Sequence, residues 1–95
     1  MTATQVIKPK FPLGQVLMTP GAYDALTAAD VKMGIFWHSQ GHWGDVCEED
    51  KQLNDQALIE GTRLLSAYIA ENGTRFWVIT EADRSATTVL LPDEY

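Results

Sequence analysis

The stretch Arg63-Leu64-Leu65-Ser66-Ala67-Tyr68-Ile69-Ala70-Glu71-Asn72-Gly73-Thr74-Arg75-Phe76-Trp77-Val78-Ile79-Thr80 decides the fold. Asn72-Gly73 stands between two apolar runs, and this dipeptide is a strong signal for a tight β-hairpin, because a type I′ turn needs positive φ at both central positions. Glu81-Ala82-Asp83-Arg84-Ser85 then makes a second turn, and Thr87-Thr88-Val89 reads as a third, β-branched strand. The expectation is a three-stranded antiparallel meander. With Asn72-Gly73 as a two-residue loop, Glu71 faces Thr74, Ile69 faces Phe76, Ala67 faces Val78 and Leu65 faces Thr80, on the face that meets the core. Tyr68 and Trp77 then share the opposite face, either under a second layer or free for a partner or a second subunit.

A hairpin alone is marginal in water, so the meander needs covering helices, and these are sought upstream. Thr19-Pro20 is a helix start, with Thr19 as cap and Pro20 where a missing N–H costs nothing. Ala22, Ala25, Leu26 and Ala29 continue one stripe to about Asp30. Val31 to Phe36 reads as a second short helix or a strand, helix being preferred, with Gly34 weakening either. Gln40-Gly41-His42-Trp43-Gly44 is a loop. Asp45 and Glu48 have capping-box spacing, and Glu48, Glu49 and Asp50 suit the first turn of a helix. Val46, Leu53, Ala57 and Gly61 mark its inner stripe, with a break at Leu53-Asn54-Asp55 where Asn54 recaps, and Gly61 closes it. Phe11 to Met18 reads as a short edge strand, since Pro12 is tolerated there. The expected architecture is α+β: residues 1–10 a flexible tail, 11–95 one domain, a C-terminal three-stranded meander packed on two or three helices.

The 95 residues suffice for one modest core. No apolar run approaches the ~18 residues of a membrane span, and the N-terminus lacks the pattern of a secretory signal. A single cysteine, Cys47, builds no disulfide framework, which fits the cytoplasm. The net charge of −6 is unevenly spread. Residues 1–44 carry three lysines against Asp24 and Asp30, a net of +1; residues 45–95 carry eleven acidic residues against Lys51, Arg63, Arg75 and Arg84, a net of −7. Such a field repels phosphate backbones and attracts a basic protein surface, so a protein partner is expected and direct nucleic-acid or membrane binding is not.

His38, His42 and Cys47 are close in sequence, but no second cluster completes a tetrahedral metal site, and no metal or cofactor is expected. Cys47 at a helix start has the position of an activated thiol, yet Glu48, Glu49 and Asp50 crowd the same turn and oppose ionisation. Nucleotide-binding loops and a nucleophile elbow are missing. Asp83 and Ser85 are turn formers, with Arg84 free to pair with Glu81 or Glu48. If a small-molecule or catalytic site exists, it belongs where the 41–50 loop meets the 81–85 turn, built from Trp43, Asp45, Cys47, Asp83 and Arg84. Candidates for a protein interface are Trp43, Asp45, Glu48, Glu49, Asp50, Tyr68, Trp77, Asp83 and Arg84.

Phe11-Pro12-Leu13-Gly14, Thr19-Pro20-Gly21-Ala22, the run from Gly41 to Asp50, Thr80-Glu81-Ala82-Asp83-Arg84-Ser85 and Leu90-Leu91-Pro92 form a set. Together they resemble a family of small uncharacterised proteins carried on plasmids, prophages, integrative elements and gene cassettes. The resemblance runs from Phe11 to Tyr95. It implies a mobile-element setting and a second helix leading into the Gly41–Gly44 loop, where Met33-Gly34-Ile35 is a weak helix former. Some members are labelled restriction–modification subunits, but 95 residues cannot hold a methyltransferase fold. The resemblance implies no reaction and assigns no catalytic residue. The expectation is a non-enzymatic accessory protein with an acidic helix face, inhibiting a nucleic-acid-binding or defence protein, and a homodimer through the Tyr68/Trp77 face or a sheet edge is compatible with it.

Overall fold

A computed structural model describes residues 8–95. Its meander is the one expected: β2 (Leu64–Ile69), β3 (Arg75–Thr80) and β4 (Ala86–Leu90) pair antiparallel in sequence order. A fourth strand, β1 (Gln15–Met18), pairs parallel to β4, so the sheet order is β1-β4-β3-β2 and β1 is the edge strand that Pro12 allows. The helices are α1 (Pro20–Ala25), α2 (Ala28–Ser39) and α3 (Glu48–Glu60), with a 3₁₀ turn at Pro92–Glu94. The fold is α+β, with a mixed sheet in place of a three-stranded one.

The hairpin register differs from the expected one by one residue. Asn72 does not take positive φ; Gly73 alone does, at 87°. The loop therefore has three residues, with Gly73 N–H donating to Ala70 O at 2.9 Å and Ala70 N–H donating to Thr74 O at 2.8 Å. The Asn72 side chain is spent locally, accepting from Thr74 N–H and donating to Ala25 O. Leu64 thus pairs with Thr80, Ser66 with Val78 and Tyr68 with Phe76. Phe76, Val78 and Thr80 face the core as expected, but β2 is turned over: Leu64, Ser66, Tyr68 and Ala70 point inward, not Leu65, Ala67 and Ile69. Tyr68 and Trp77 consequently lie on opposite faces, and the shared Tyr68/Trp77 surface does not form.

All three helices pack on that inward face. Ala22 and Leu26 from the first helical region, with Val31 and Ile35 of α2, meet Phe76, Val78 and Val89; Phe11, Trp43 and Ala57 meet Leu64. Thr19 caps α1 with Pro20 in its first turn, as expected. The single helix to Asp30 does not form. Leu26 leaves helical geometry at ψ 145°, Thr27 becomes a new cap, and Thr27 and Asp30 complete a capping box. The preferred helix over 31–36 is there as α2, and Gly34 lets it approach the sheet: a Cβ at this position would stand 2.6 Å from the Phe76 ring. Lys8 to Lys10, the described end of the expected tail, is tied to the end of α2, with Lys10 N–H donating to Ser39 O at 2.8 Å and Gln40 donating to Lys8 O.

The cap of α3 is Cys47, not Asp45, and no side chain closes it. The helix is continuous through Asn54, which does not recap. Its side chain turns to β2 instead, donating to Leu65 O at 2.8 Å and accepting from Leu65 N–H at 3.1 Å. The inner stripe is Asn54, Ala57 and Leu58, and Leu53 faces solvent. Gly61 ends the helix in the left-handed region, as expected.

Candidate functional site

The loop between α2 and α3 is built onto the exposed edge of β2. Ala67 N–H donates to Trp43 O and Asp45 N–H donates to Ala67 O, so Trp43, Gly44 and Asp45 act as a one-bridge strand. Gly44 sits at φ 79°, and a Cβ there would lie 2.0 Å from Ala67 O, so the close approach requires glycine. Asn54 and this loop together satisfy the outward backbone groups of Leu65 and Ala67, which protects the edge from further strand pairing.

Behind the loop lies a chain of buried polar groups. His38 is fully buried, with Nδ1 2.6 Å from Ser66 Oγ and Nε2 2.8 Å from Thr80 Oγ1. Thr80 Oγ1 is 2.7 Å from Thr87 Oγ1, and Thr87 donates to Leu13 O at 2.7 Å. The carbonyl of Leu13 can only accept, which sets the direction of every link. Thr87 spends its proton on Leu13, so Thr80 donates to Thr87. Thr80 therefore accepts from His38 Nε2–H, and Nδ1 accepts from Ser66. The ring is neutral, and burial, with Arg84 adding a smaller push, lowers its pKa from 6.5 to about 4. Phe11 and Trp43 pack edge-on against it. His38 is thus a structural centre that turns no atom to solvent.

In front of the loop is an open hollow of about 550 Å³. Trp37, His42, Trp43 and Tyr68 wall its aromatic side, and Glu48, Lys51 and Asp55 of α3 wall the other. Tyr68 OH donates to the carbonyl of His42, and Trp43 Nε1–H donates to Asp55 at 3.0 Å. Burial raises the Tyr68 pKa above its usual value, so the phenol stays protonated. Carboxylates outnumber the one ammonium here, and aromatic faces beside carboxylates make a receptor for a cationic side chain.

The outward face of α3 continues from this hollow. Glu49, Leu53, Gln56 and Glu60 recur at helical spacing along it, flanked by Glu48 and Ile59. Leu53 is 61% exposed and Ile59 87%. Among the described residues the one ion pair is Arg75 with Asp45, at 2.9 Å, so the carboxylates of Glu48, Glu49, Asp50 and Glu60 are free of ionic partners.

The candidate residues separate into three places. Trp43, Glu48 and Tyr68 line the hollow; Glu49 and Asp50 share the first turn of α3 with Glu48 but do not line it, and Asp50 borders a separate recess with Leu53, Asn54 and Arg63. Asp45 pairs with Arg75 at one end of β3, while Asp83 and Arg84 belong to the turn beyond the other end, roughly 17 Å of strand away. No residue of the 81–85 turn lines the hollow, so the joint pocket expected of the two segments does not form. Arg84 pairs with neither Glu81 nor Glu48 through their carboxylates. It holds φ 61° and donates to the carbonyls of Ala57, Thr62 and Glu81, tying the end of α3 to the turn. The Ser85 hydroxyl, and after it the Ser85 N–H that donates to Asp83 Oδ1, keep the Asp83 carboxyl below the usual range. Trp77 lies on the far face against Tyr95. His42 and Cys47 are exposed, the latter as a free thiol.

Trp37, Lys51 and Asp55 escaped the sequence reading. Their signal was the spacing of Glu48, Lys51 and Asp55, which places all three on one helical face opposite an aromatic-rich loop. Comparison with known proteins finds no matching family model, no matching curated protein and no matching solved structure.

Proposed function

We propose that this chain is a non-enzymatic accessory protein of a mobile genetic element, acting in the cytoplasm by docking the outward face of α3 and the adjoining hollow on a basic surface of another protein. The supporting observation is the continuity of the two features at Glu48: free carboxylates and exposed aliphatic side chains on α3 run into an aromatic hollow suited to an inserted arginine or lysine. Leu53 and Ile59 add exposed aliphatic surface to the acidic face, which a docked partner would bury. The concentration of negative charge in residues 45–95 supports a basic partner, such as the nucleic-acid-binding face of a host protein, and disfavours nucleic acid itself. The mobile-element setting rests on the sequence resemblance alone.

The test is capture of host-lysate proteins by immobilised protein, comparing wild type, Glu48→Lys/Glu49→Lys/Asp50→Lys, Trp37→Ala and a remote control, Glu71→Lys. The reading expects one stoichiometric partner held by wild type and Glu71→Lys, weakened by Trp37→Ala and lost by the triple variant. Equal capture by wild type and the triple variant contradicts it.

A further inference from the structure

Two hollows meet at Trp37 and Tyr68, which line both. The larger is the aromatic hollow in front of the loop between α2 and α3. The smaller, of about 150 Å³, lies between α2 and the hairpin, against Met33, Gly34, Ala70 and Phe76. The Tyr68 ring forms the partition. A Cβ on Gly44 would stand 2.7 Å from one edge of that ring, and a Cβ on Gly34 would stand 3.5 Å from the other edge. Gly44 belongs to the large hollow and Gly34 to the small one. Met33 is 59% exposed and Trp37 39%, so both hollows open to solvent beside α2.

The two differ in chemistry. In the large hollow the Glu48 carboxylate has no ionic partner among the described residues, and Asp55 spends one oxygen on Trp43 Nε1–H at 3.0 Å. Lys51 lies three positions from Glu48 and four from Asp55, yet pairs with neither. Carboxylates beside the Trp37 indole favour a guanidinium, which stacks on aromatic faces, sheds water more readily than an ammonium and donates in its plane. In the small hollow the one charged group is Asp30, and both its oxygens already accept backbone N–H groups, from Thr27 and Glu71. Thioether, methyl and ring surface remain, and an apolar space of about 150 Å³ holds a group the size of benzene.

We propose that this pair of hollows reads an arginine and a leucine-sized aliphatic side chain two positions apart on one extended segment of the protein partner. Side chains at i and i+2 of an extended chain share a side and stand roughly 7 Å apart, the scale of the ring that separates the hollows. The guanidinium lies between Trp37 and Glu48, and the aliphatic group lies on Phe76 beside Met33. Lys51 competes for the same carboxylates and so tempers the site. The inference rests on the docking reading of α3 and the hollow, and adds which side chains of the partner enter.

The probe is an acetylated, amidated pentapeptide with arginine second, leucine fourth and glycine elsewhere, titrated to millimolar concentration against isotope-labelled protein. The amide resonances of Met33 and Gly34 and the indole resonance of Trp37 should shift. Glutamine in place of the arginine, or glycine in place of the leucine, should each weaken binding roughly threefold or more. Glu48→Gln should weaken the first peptide and Lys51→Met should strengthen it; both positions are exposed, so the variants keep the fold. Resonances that stay still, control peptides that bind as well as the first, or a Lys51→Met that weakens binding each overturns the inference. A host partner captured by wild type and lost by Glu48→Lys/Glu49→Lys/Asp50→Lys keeps the docking reading even when the peptide does not bind, so the two fail separately.

Discussion

His38 links three elements of this protein through one ring: α2 carries it, Ser66 of β2 and Thr80 of β3 bond it, and Thr87 of β4 extends the chain to Leu13. Its pKa is lower in the folded protein than in the unfolded chain, where the ordinary 6.5 applies. Its contribution to stability is therefore fully present above about pH 6.5 and is lost as pH falls toward about 4, where protonation favours the unfolded state. The difference corresponds to on the order of 3 kcal/mol. Urea unfolding across this window should show falling stability in wild type and a flatter dependence in His38→Gln, which carries no titrating ring. An equal slope in both would show that other groups govern the acid response. The sequence displayed His38 only as one of a His/Cys cluster; its real partners are hydroxyls 28 and 42 residues away, a separation that local spacing does not encode.

At the scale of elements, small polar and small apolar side chains fix how helices meet the sheet. Asn54 satisfies both backbone groups of Leu65, so Asn54→Ala should cost about 2 kcal/mol or more and speed amide exchange at Leu65. Normal protection there would remove Asn54 from the account of the β2 edge. Gly34→Ala sets helix propensity against packing. Alanine gains about 1 kcal/mol of propensity in a helix, but its Cβ would press on the buried Phe76 ring at 2.6 Å. We expect a net loss of about 1–2 kcal/mol in thermal or urea unfolding, since overpacking a full core outweighs that gain. A stabilised Gly34→Ala would mean that α2 shifts freely.

The elements themselves were largely legible. Thr19-Pro20, Gly61, the edge strand and the meander all follow from local turn and cap chemistry. The hairpin register was not, because Asn72-Gly73 serves a three-residue loop as well as a two-residue one, and the choice falls to side chains far away. Ser66 inward reaches His38, and Tyr68 inward reaches the His42 carbonyl. Turning β2 over therefore completes a buried network that the more apolar register would leave without its Ser66 hydroxyl. Glu94 shows the same limit: its carboxylate accepts from Thr19 OH at 2.6 Å and from Gly21 N–H at 3.0 Å, joining the end of the chain to the start of α1 across more than 70 residues.

For the whole molecule, the layering gives opposite sides different surfaces. The helix layer bears the acidic face of α3 and the aromatic hollow; the other face of the sheet is partly covered by the last turn of chain, which buries Ile79 and Leu90. In the candidate site, the sequence exposed the acidic turn and Trp43, but it joined them to Asp83 and Arg84, which β3 holds at its other end. Strand length separates what composition grouped together. No helix among the described residues is long and apolar enough to cross a membrane. Electrostatic docking of this kind has a direct signature in salt dependence. The decisive measurement is the affinity of wild type and Glu48→Lys/Glu49→Lys/Asp50→Lys for the captured partner, titrated from low to high salt. The account predicts wild-type binding that weakens steadily with salt, and a triple variant that is weak throughout with little salt dependence left. A wild-type affinity that holds constant across the titration, or a triple variant with the same salt response, would contradict it.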